Sequence, residues 1–310
     1  MRDAMTRVLC DLATHDQNLV LVTGDLGFGV LNEFQERFPK QYINAGVAEQ
    51  NMTGLATGMA LSGKTVFTYS IGNFPTLRCL EQIRNDACYH NANVKIIAIG
   101  GGFTYGSLGI SHHATEDLAI LRALPDITLM APGDPLEAAA ATRLVYETPG
   151  ACYLRLGRGG EPSVHKELKS IVLGKALKIC DGKDIAIIST GGILKNAYEA
   201  RNLLCEQGHN VALFSMHTMK PFDKELIESL VSTFKYIVTV EEHTVVGGLG
   251  SAVAEVMAQL PSQRARLKII GLQDCFSSVV GDQEYLRGVY GLSVKAIVDT
   301  VEKIIRNPNA

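Results

Sequence analysis

Short β-branched runs alternate with helix-length amphipathic segments from one end of this 310-residue chain to the other. Leu19–Thr23, 65–69, Val94–Ile99 and Ile127–Met130 are apolar through their middles, as strands buried on both faces of a parallel sheet are. A helical pattern follows each, and strand–helix alternation of this kind points to an α/β fold with doubly wound sheets. After 151–157 the pattern breaks. Residues 158–167 carry Gly, Pro and charge with no apolar period. It restarts with strands expected over 184–190, 210–216, 236–240 and 267–271, and helices over 193–207, 223–233, 250–260 and 293–306. Two domains are expected, 1–157 and 172–310, joined by a linker over 158–171.

Composition narrows the function classes. Lys+Arg number 29 and Asp+Glu 32, so no basic excess exists to displace counterions from nucleic-acid phosphates. With 46% apolar and 20% charged residues, the balance is that of a folded globular protein. No run approaches the ~18 apolar residues of a membrane span. Met1-Arg2-Asp3-Ala4-Met5 lacks the apolar core of a secretory signal, so a cytoplasmic location is the expectation. Cys10, Cys79, Cys88, Cys152, Cys180, Cys205 and Cys275 include no C-x-x-C and mostly sit in apolar runs. They read as reduced thiols packing as small hydrophobes, and neither they nor the histidines show metal-ligand spacing. Trp is absent and aromatics make up 6%, poor material for stacking bases.

From Ala45 to Gly63 the chain reads A-G-V-A-E-Q-N-M-T-G-L-A-T-G-M-A-L-S-G, with Glu49 its single ionisable side chain. Small residues around it let a helix pack closely against other backbones on several faces. Two readings of Glu49 stay open on these residues alone. It is a first-turn carboxylate kept in water, complementing the positive helix end, or a buried acid placed to share a proton with a bound ligand. A second cluster, Gly106-Ser107-Leu108-Gly109-Ile110-Ser111-His112-His113, follows a buried strand and the Gly100-Gly101-Gly102 break. Loops at the carboxyl ends of parallel strands are where open α/β sheets bind ligands, and two imidazoles suit acid–base work or an anion. The plainer alternative is one capping and one solvated histidine. Arg155 and Arg158 flank Gly157 at a strand end, where a guanidinium suits a phosphate or pairs with a linker carboxylate. Gly248-x-Gly250 matches a dinucleotide fingerprint only in part, with Val253 at the third glycine position. It reads as a tight strand-to-helix turn rather than an NAD site.

With Y-I-N-A-G-V-A-E-Q-N-M over 42–52, S-H-H-A-T-E-D-L-A-I-L-R over 111–122, Lys220-Pro221-Phe222-Asp223, and Val240-Glu241-Glu242-His243 through Gly250, the sequence is similar to the transketolase family over nearly its whole length. The resemblance implies the pyrimidine-binding and carboxyl-terminal domains of a thiamine diphosphate enzyme. In that family an amino-terminal domain with a G-D-G motif and a later Asn holds the diphosphate and Mg²⁺. Gly24-Asp25-Leu26, Gly133-Asp134-Pro135 and Gly281-Asp282-Gln283 do not match that motif. The resemblance therefore implies the second subunit of a split transketolase, acting on sugar phosphates in an α2β2 assembly. A separate amino-terminal, diphosphate-binding subunit would supply the missing ligands.

The resemblance also implies roles. Glu49 would hydrogen-bond the aminopyrimidine ring, and Phe74 would stack on it, adding about 0.5–1.5 kcal/mol beyond burial; an ordinary core Phe is the alternative. One inserted residue is expected in this local alignment. Asp25, Arg78 and Gln82 would lie near the cofactor. His112 matches the donor-site histidine, with His113 beside it, and Arg158, more than Arg155, matches the arginine that binds a sugar phosphate. Ser107-Leu108 stands where many members carry an acidic pair, and Gly100-Gly101 where a histidine is common, which leaves the sugars open. Two-carbon ketol transfer from a ketose to an aldose is the leading reading. Beside it stand 2-oxo-acid decarboxylation, as in deoxyxylulose-phosphate synthases and 2-oxoacid dehydrogenase β subunits, and a non-catalytic regulatory module.

Overall fold

Strands that are apolar at every position need cover on both faces, and the chain provides it in two sheets. The structure, a computed structural model, describes residues 1–262 and 264–307. Its strands are β1 (Leu19–Thr23), β2 (Tyr42–Asn44), β3 (Thr65–Ile71), β4 (Val94–Ile99), β5 (Ile127–Met130) and β6 (Ala151–Leu156), then β7 (Leu177–Cys180), β8 (Ile185–Thr190), β9 (Val211–Ser215), β10 (Thr218–Lys220), β11 (Tyr236–Thr244) and β12 (Arg266–Leu272). The seven-stranded sheet runs β10-β5-β6-β4-β3-β1-β2 and the five-stranded sheet β12-β11-β8-β9-β7. Pairing is parallel except where β10 meets β5 and β7 meets β9. This is the doubly wound α/β architecture expected from the alternation.

The helices are α1 (Arg2–His15), α2 (Asn32–Arg37), α3 (Glu49–Leu61), α4 (Leu80–Gln82), α5 (Asp117–Arg122), α6 (Pro135–Glu147), α7 (Leu194–Glu206), α8 (Lys224–Thr233), α9 (Leu249–Met257), α10 (Gln283–Val289) and α11 (Val294–Arg306). Successive side chains of β1 point to opposite faces. Leu19 and Leu21 pack with Met5 and Leu9 of α1 and Val145 of α6. Val20 and Val22 pack with Met52 and Ala56 of α3. Helix starts follow local chemistry: the Asp134 carboxylate accepts from the Leu136 and Glu137 amides ahead of α6, and Pro135 takes the first helical position.

Three features go beyond the sequence reading. β10 belongs by sequence to the second half yet pairs antiparallel with β5 of the first sheet, and Met219 joins a core cluster that also holds Leu129 and Phe214. One strand therefore crosses the division placed at 157. β11 does not stop at Val240 but continues through Glu241, Glu242 and His243, all buried. The 158–171 stretch has no helix or strand, yet it does not hang free. It is pinned at Asp134, whose Oδ2 accepts from Val164 N at 2.9 Å, His165 N at 3.0 Å and His165 Nδ1 at 2.9 Å.

Candidate active site

Parallel pairing of β1 with β2 brings Asp25 beside Asn44. Asn44 Nδ2 donates to Asp25 Oδ1 at 2.8 Å, and the Asp25 N–H donates back to Asn44 Oδ1 at 3.1 Å. That reciprocal pair holds Asp25 at a φ of 59°, a left-handed conformation Asp tolerates better than most residues. The chain then turns into α3, and Glu49 opens it. Glu49 occupies the first turn, as one reading had it, but its side chain is 2% exposed, as the other required. Gly24 makes room: a Cβ there would stand 3.4 Å from Glu49 Cγ. Arg78 Nη1 donates to Glu49 Oε2 at 2.7 Å, so the carboxylate has a cationic partner that the nearly uncharged helix did not reveal.

From this pair a row of cations and rings extends. The Arg78 guanidinium lies over the Phe74 ring at 4.7 Å. Phe74 meets the His112 ring edge-on at 5.1 Å, His112 lies 6.3 Å from Tyr105, and the Arg158 guanidinium stands 6.0 Å from the Tyr105 ring. Four segments far apart in sequence thus meet on one surface. Burial first, and the neighbouring His113 second, hold the His112 imidazole below its ordinary value. Near neutrality it is an uncharged donor–acceptor, and Ser111 Oγ lies 3.0 Å from its Nδ1. Gln82 follows on α4, its amide oxygen buried without a partner among the described residues.

Two residues expected at the substrate face elsewhere. His113 turns into the core, with Nε2 3.1 Å from the Gly106 carbonyl and its ring against the Phe103 edge. Arg155 is buried, and its Nε donates to Asp117 Oδ2 at 2.9 Å while Nη2 donates to the Ala114 and Glu242 carbonyls. A guanidinium spent on three partners is a brace, which corrects its reading as a substrate ligand. The Gly248-x-Gly250 turn is also explained. The Glu241 carboxylate accepts from Leu249 N at 2.6 Å and Gly250 N at 2.8 Å. An internal anion therefore sits where a dinucleotide phosphate would.

Sequence reasoning missed Tyr105. The signal was Gly100, whose φ is +95° and where a Cβ would stand 2.3 Å from the Tyr105 ring. Around the row, the neighbouring segments leave Phe28, Val47, Leu55 and Leu77 exposed. α3 buries Met52, Thr53, Ala56 and Thr57 but turns Gly54 and Gly58 to open space. Packing on several faces was expected; within this chain α3 packs on one.

The transketolase pyrimidine-binding domain matches residues 1–161, and the transketolase C-terminal domain matches residues 174–297. One of the two subunits of the apulose-4-phosphate transketolase of Phocaeicola vulgatus is 35% identical over 98% of this chain and 97% of its own. A putative transketolase C-terminal section of Methanocaldococcus jannaschii is 37% identical over 97% of this chain and 95% of its own. Among solved structures, a split gene transketolase described as an inactive β4 tetramer superposes with a TM-score of 0.87. It is 34% identical and covers 97% of this chain and 96% of its own. Both domain types occur in order around a buried glutamate and a row of rings, and the matched chains are of nearly equal length: the chain belongs to the transketolase family.

Proposed function

We propose that this chain is the second subunit of a split transketolase, transferring a two-carbon ketol unit from a ketose to an aldose with thiamine diphosphate. The observation that carries the reading is Glu49, a carboxylate 2% exposed at the head of the row formed by Arg78, Phe74 and His112. These residues fit a flat heteroaromatic ring with polar edges: a buried acid, an aromatic face and the unpartnered Gln82 oxygen. Thiamine diphosphate, when bound, supplies the electron sink for carbon–carbon cleavage beside a carbonyl.

The chain's own residues have distinct tasks. Glu49 holds or gives a proton at the pyrimidine ring nitrogen, and burial keeps water from competing for that hydrogen bond. Arg78 fixes the carboxylate, and Asp25 borders the same end of β1. Phe74 provides the stacking face. His112, uncharged near neutrality, bonds the sugar oxygens as donor or acceptor. Arg158, whose ring contact with Tyr105 leaves its N–H groups available to a ligand, takes a terminal phosphate. We assign the diphosphate and Mg²⁺ ligands to an amino-terminal partner subunit. Supporting this are the exposed apolar residues Phe28, Val47, Leu55 and Leu77 beside Glu49. Apolar side chains clustered beside a polar site mark a surface that another protein covers.

The test is two-carbon transfer by the co-expressed two-subunit complex. Glu49→Gln removes the proton exchange and keeps the shape, so the rate is expected to fall by about 10²–10⁴-fold. Unchanged turnover in that variant would reject the role of Glu49. Carbon dioxide release from a 2-oxo acid, without ketol transfer, would move the chain to the decarboxylating branch of its relatives.

A further inference from the structure

The second domain contributes no residue to the row, yet it holds the loop on which His112 and Tyr105 ride. That loop is closed at its base by Gly102 N donating to Ala114 O at 2.8 Å and Ala114 N donating to Gly102 O at 3.0 Å. Just inside the base, the Phe103 ring leaves its own domain. It is fully buried in the second-domain core with Leu286 and Leu292, and stacks on Tyr290 at 5.3 Å. The Phe103 N–H donates to Glu242 Oε1 at 2.6 Å. Glu242, on β11, is itself fixed by Arg287, whose Nε and Nη2 donate to Oε2 at 2.9 and 2.5 Å. Gln283 Nε2 donates to Glu242 Oε1 at 2.9 Å and reaches Thr104 Oγ1 at 3.3 Å. At the other end of the loop, Arg155 ties the Ala114 carbonyl to the Glu242 backbone carbonyl. Gly102 is required here: its φ is +64°, and a Cβ would stand 2.6 Å from the Glu242 carboxylate.

We infer that Glu242 is a positioning residue for His112, acting through the Phe103 amide. The path is short. Glu242 sets Phe103, the Phe103 edge carries the His113 ring at 5.1 Å, and His113 is the covalent neighbour of His112. A buried carboxylate paired to a guanidinium is a rigid reference point, because leaving either partner alone in the interior is costly. Glu242 touches neither sugar nor coenzyme. Its influence is on the geometry of the sugar-binding end, whereas Glu49 and Phe74 sit on other elements and keep the coenzyme end.

The inference rests on the transketolase reading for its kinetic arm, and its second readout does not need turnover. Glu242→Gln in the co-expressed complex keeps an acceptor for the Phe103 amide but loses the charge facing Arg287. Amide hydrogen exchange over residues 103–114 is expected to speed up about tenfold, the size of one lost hydrogen bond to a charged group. The ketose KM is expected to rise by a similar factor, with thiamine diphosphate affinity unchanged. Glu284→Gln, on the exposed side of Arg287, should leave both at wild type. If Glu242→Gln does not fold, Gln283→Ala gives the same pattern at a smaller size. Unchanged exchange and KM in whichever of the two variants folds would overturn the inference. A wild-type complex without ketol transfer would instead reject the proposed reaction, and exchange would still decide whether Glu242 holds the loop.

Discussion

At the scale of single residues, the site is a set of partnerships rather than a set of residue types. Glu49 was conspicuous because 45–63 holds no other ionisable group, and its burial was one of two open readings. What the sequence could not display is Arg78, which lies 29 positions away and reaches Glu49 only because the segment after β3 packs against the start of α3. Arg155 and Arg158 look equivalent in the string. They separate because Arg155 is an inward residue of β6 facing the buried Asp117, and Arg158 lies beyond the strand end. Phe74 offers a direct check on the coenzyme face. Phe74→Ala in the assembled complex is expected to weaken thiamine diphosphate binding by about 3–10-fold, the value of one offset aromatic contact, as read by calorimetry. Unaltered affinity would return Phe74 to ordinary packing.

Elements were legible where burial is uniform. The runs 94–99 and 127–130 stand as strands β4 and β5 because residues buried on both faces are apolar throughout. β10 was not legible, since three residues at a sheet edge carry no period. The segment after Phe74 shows a related limit. It continues into a wide turn of π-helix over Ile83–Cys88, where Tyr89 N donates to Arg84 O five residues back. Such a bulge accommodates one extra residue within a helix and is frequent beside functional sites, in keeping with the inserted residue expected nearby. α3 yields a test of the assembly. Gly58 lies on its open face with nothing within 4 Å of a Cβ, so Gly58→Leu is expected to stabilise the isolated chain by about 0.5–1 kcal/mol, the helix cost of glycine. In the two-subunit complex the same side chain intrudes on the partner, and sedimentation should show weaker association. Normal association would remove α3 from the interface.

Across the whole molecule, the two halves are joined by buried charge, and that sets the pH response. Burial lowers His217 and His243 to about 4 from an ordinary 6.5, so the unfolded chain takes up their protons first. Their contribution is present above pH 6.5 and lost as pH falls toward 4. Burial raises Glu137 and Glu241 to about 7 from an ordinary 4.5. There the folded state holds the proton, and the contribution present below 4.5 is lost as pH rises through 7. The two pairs oppose each other between pH 4.5 and 6.5. Glu241→Gln removes one opposing group, so its Tm should fall more steeply than wild type on acidification across that window. Parallel melting profiles would contradict the assignment. The central claim is that half of the catalytic site lies on another chain. It is tested most directly by measuring thiamine-diphosphate-dependent ketol transfer with this chain alone and again after adding the amino-terminal subunit. Activity only in the mixture is expected; full turnover by the chain alone would contradict the account.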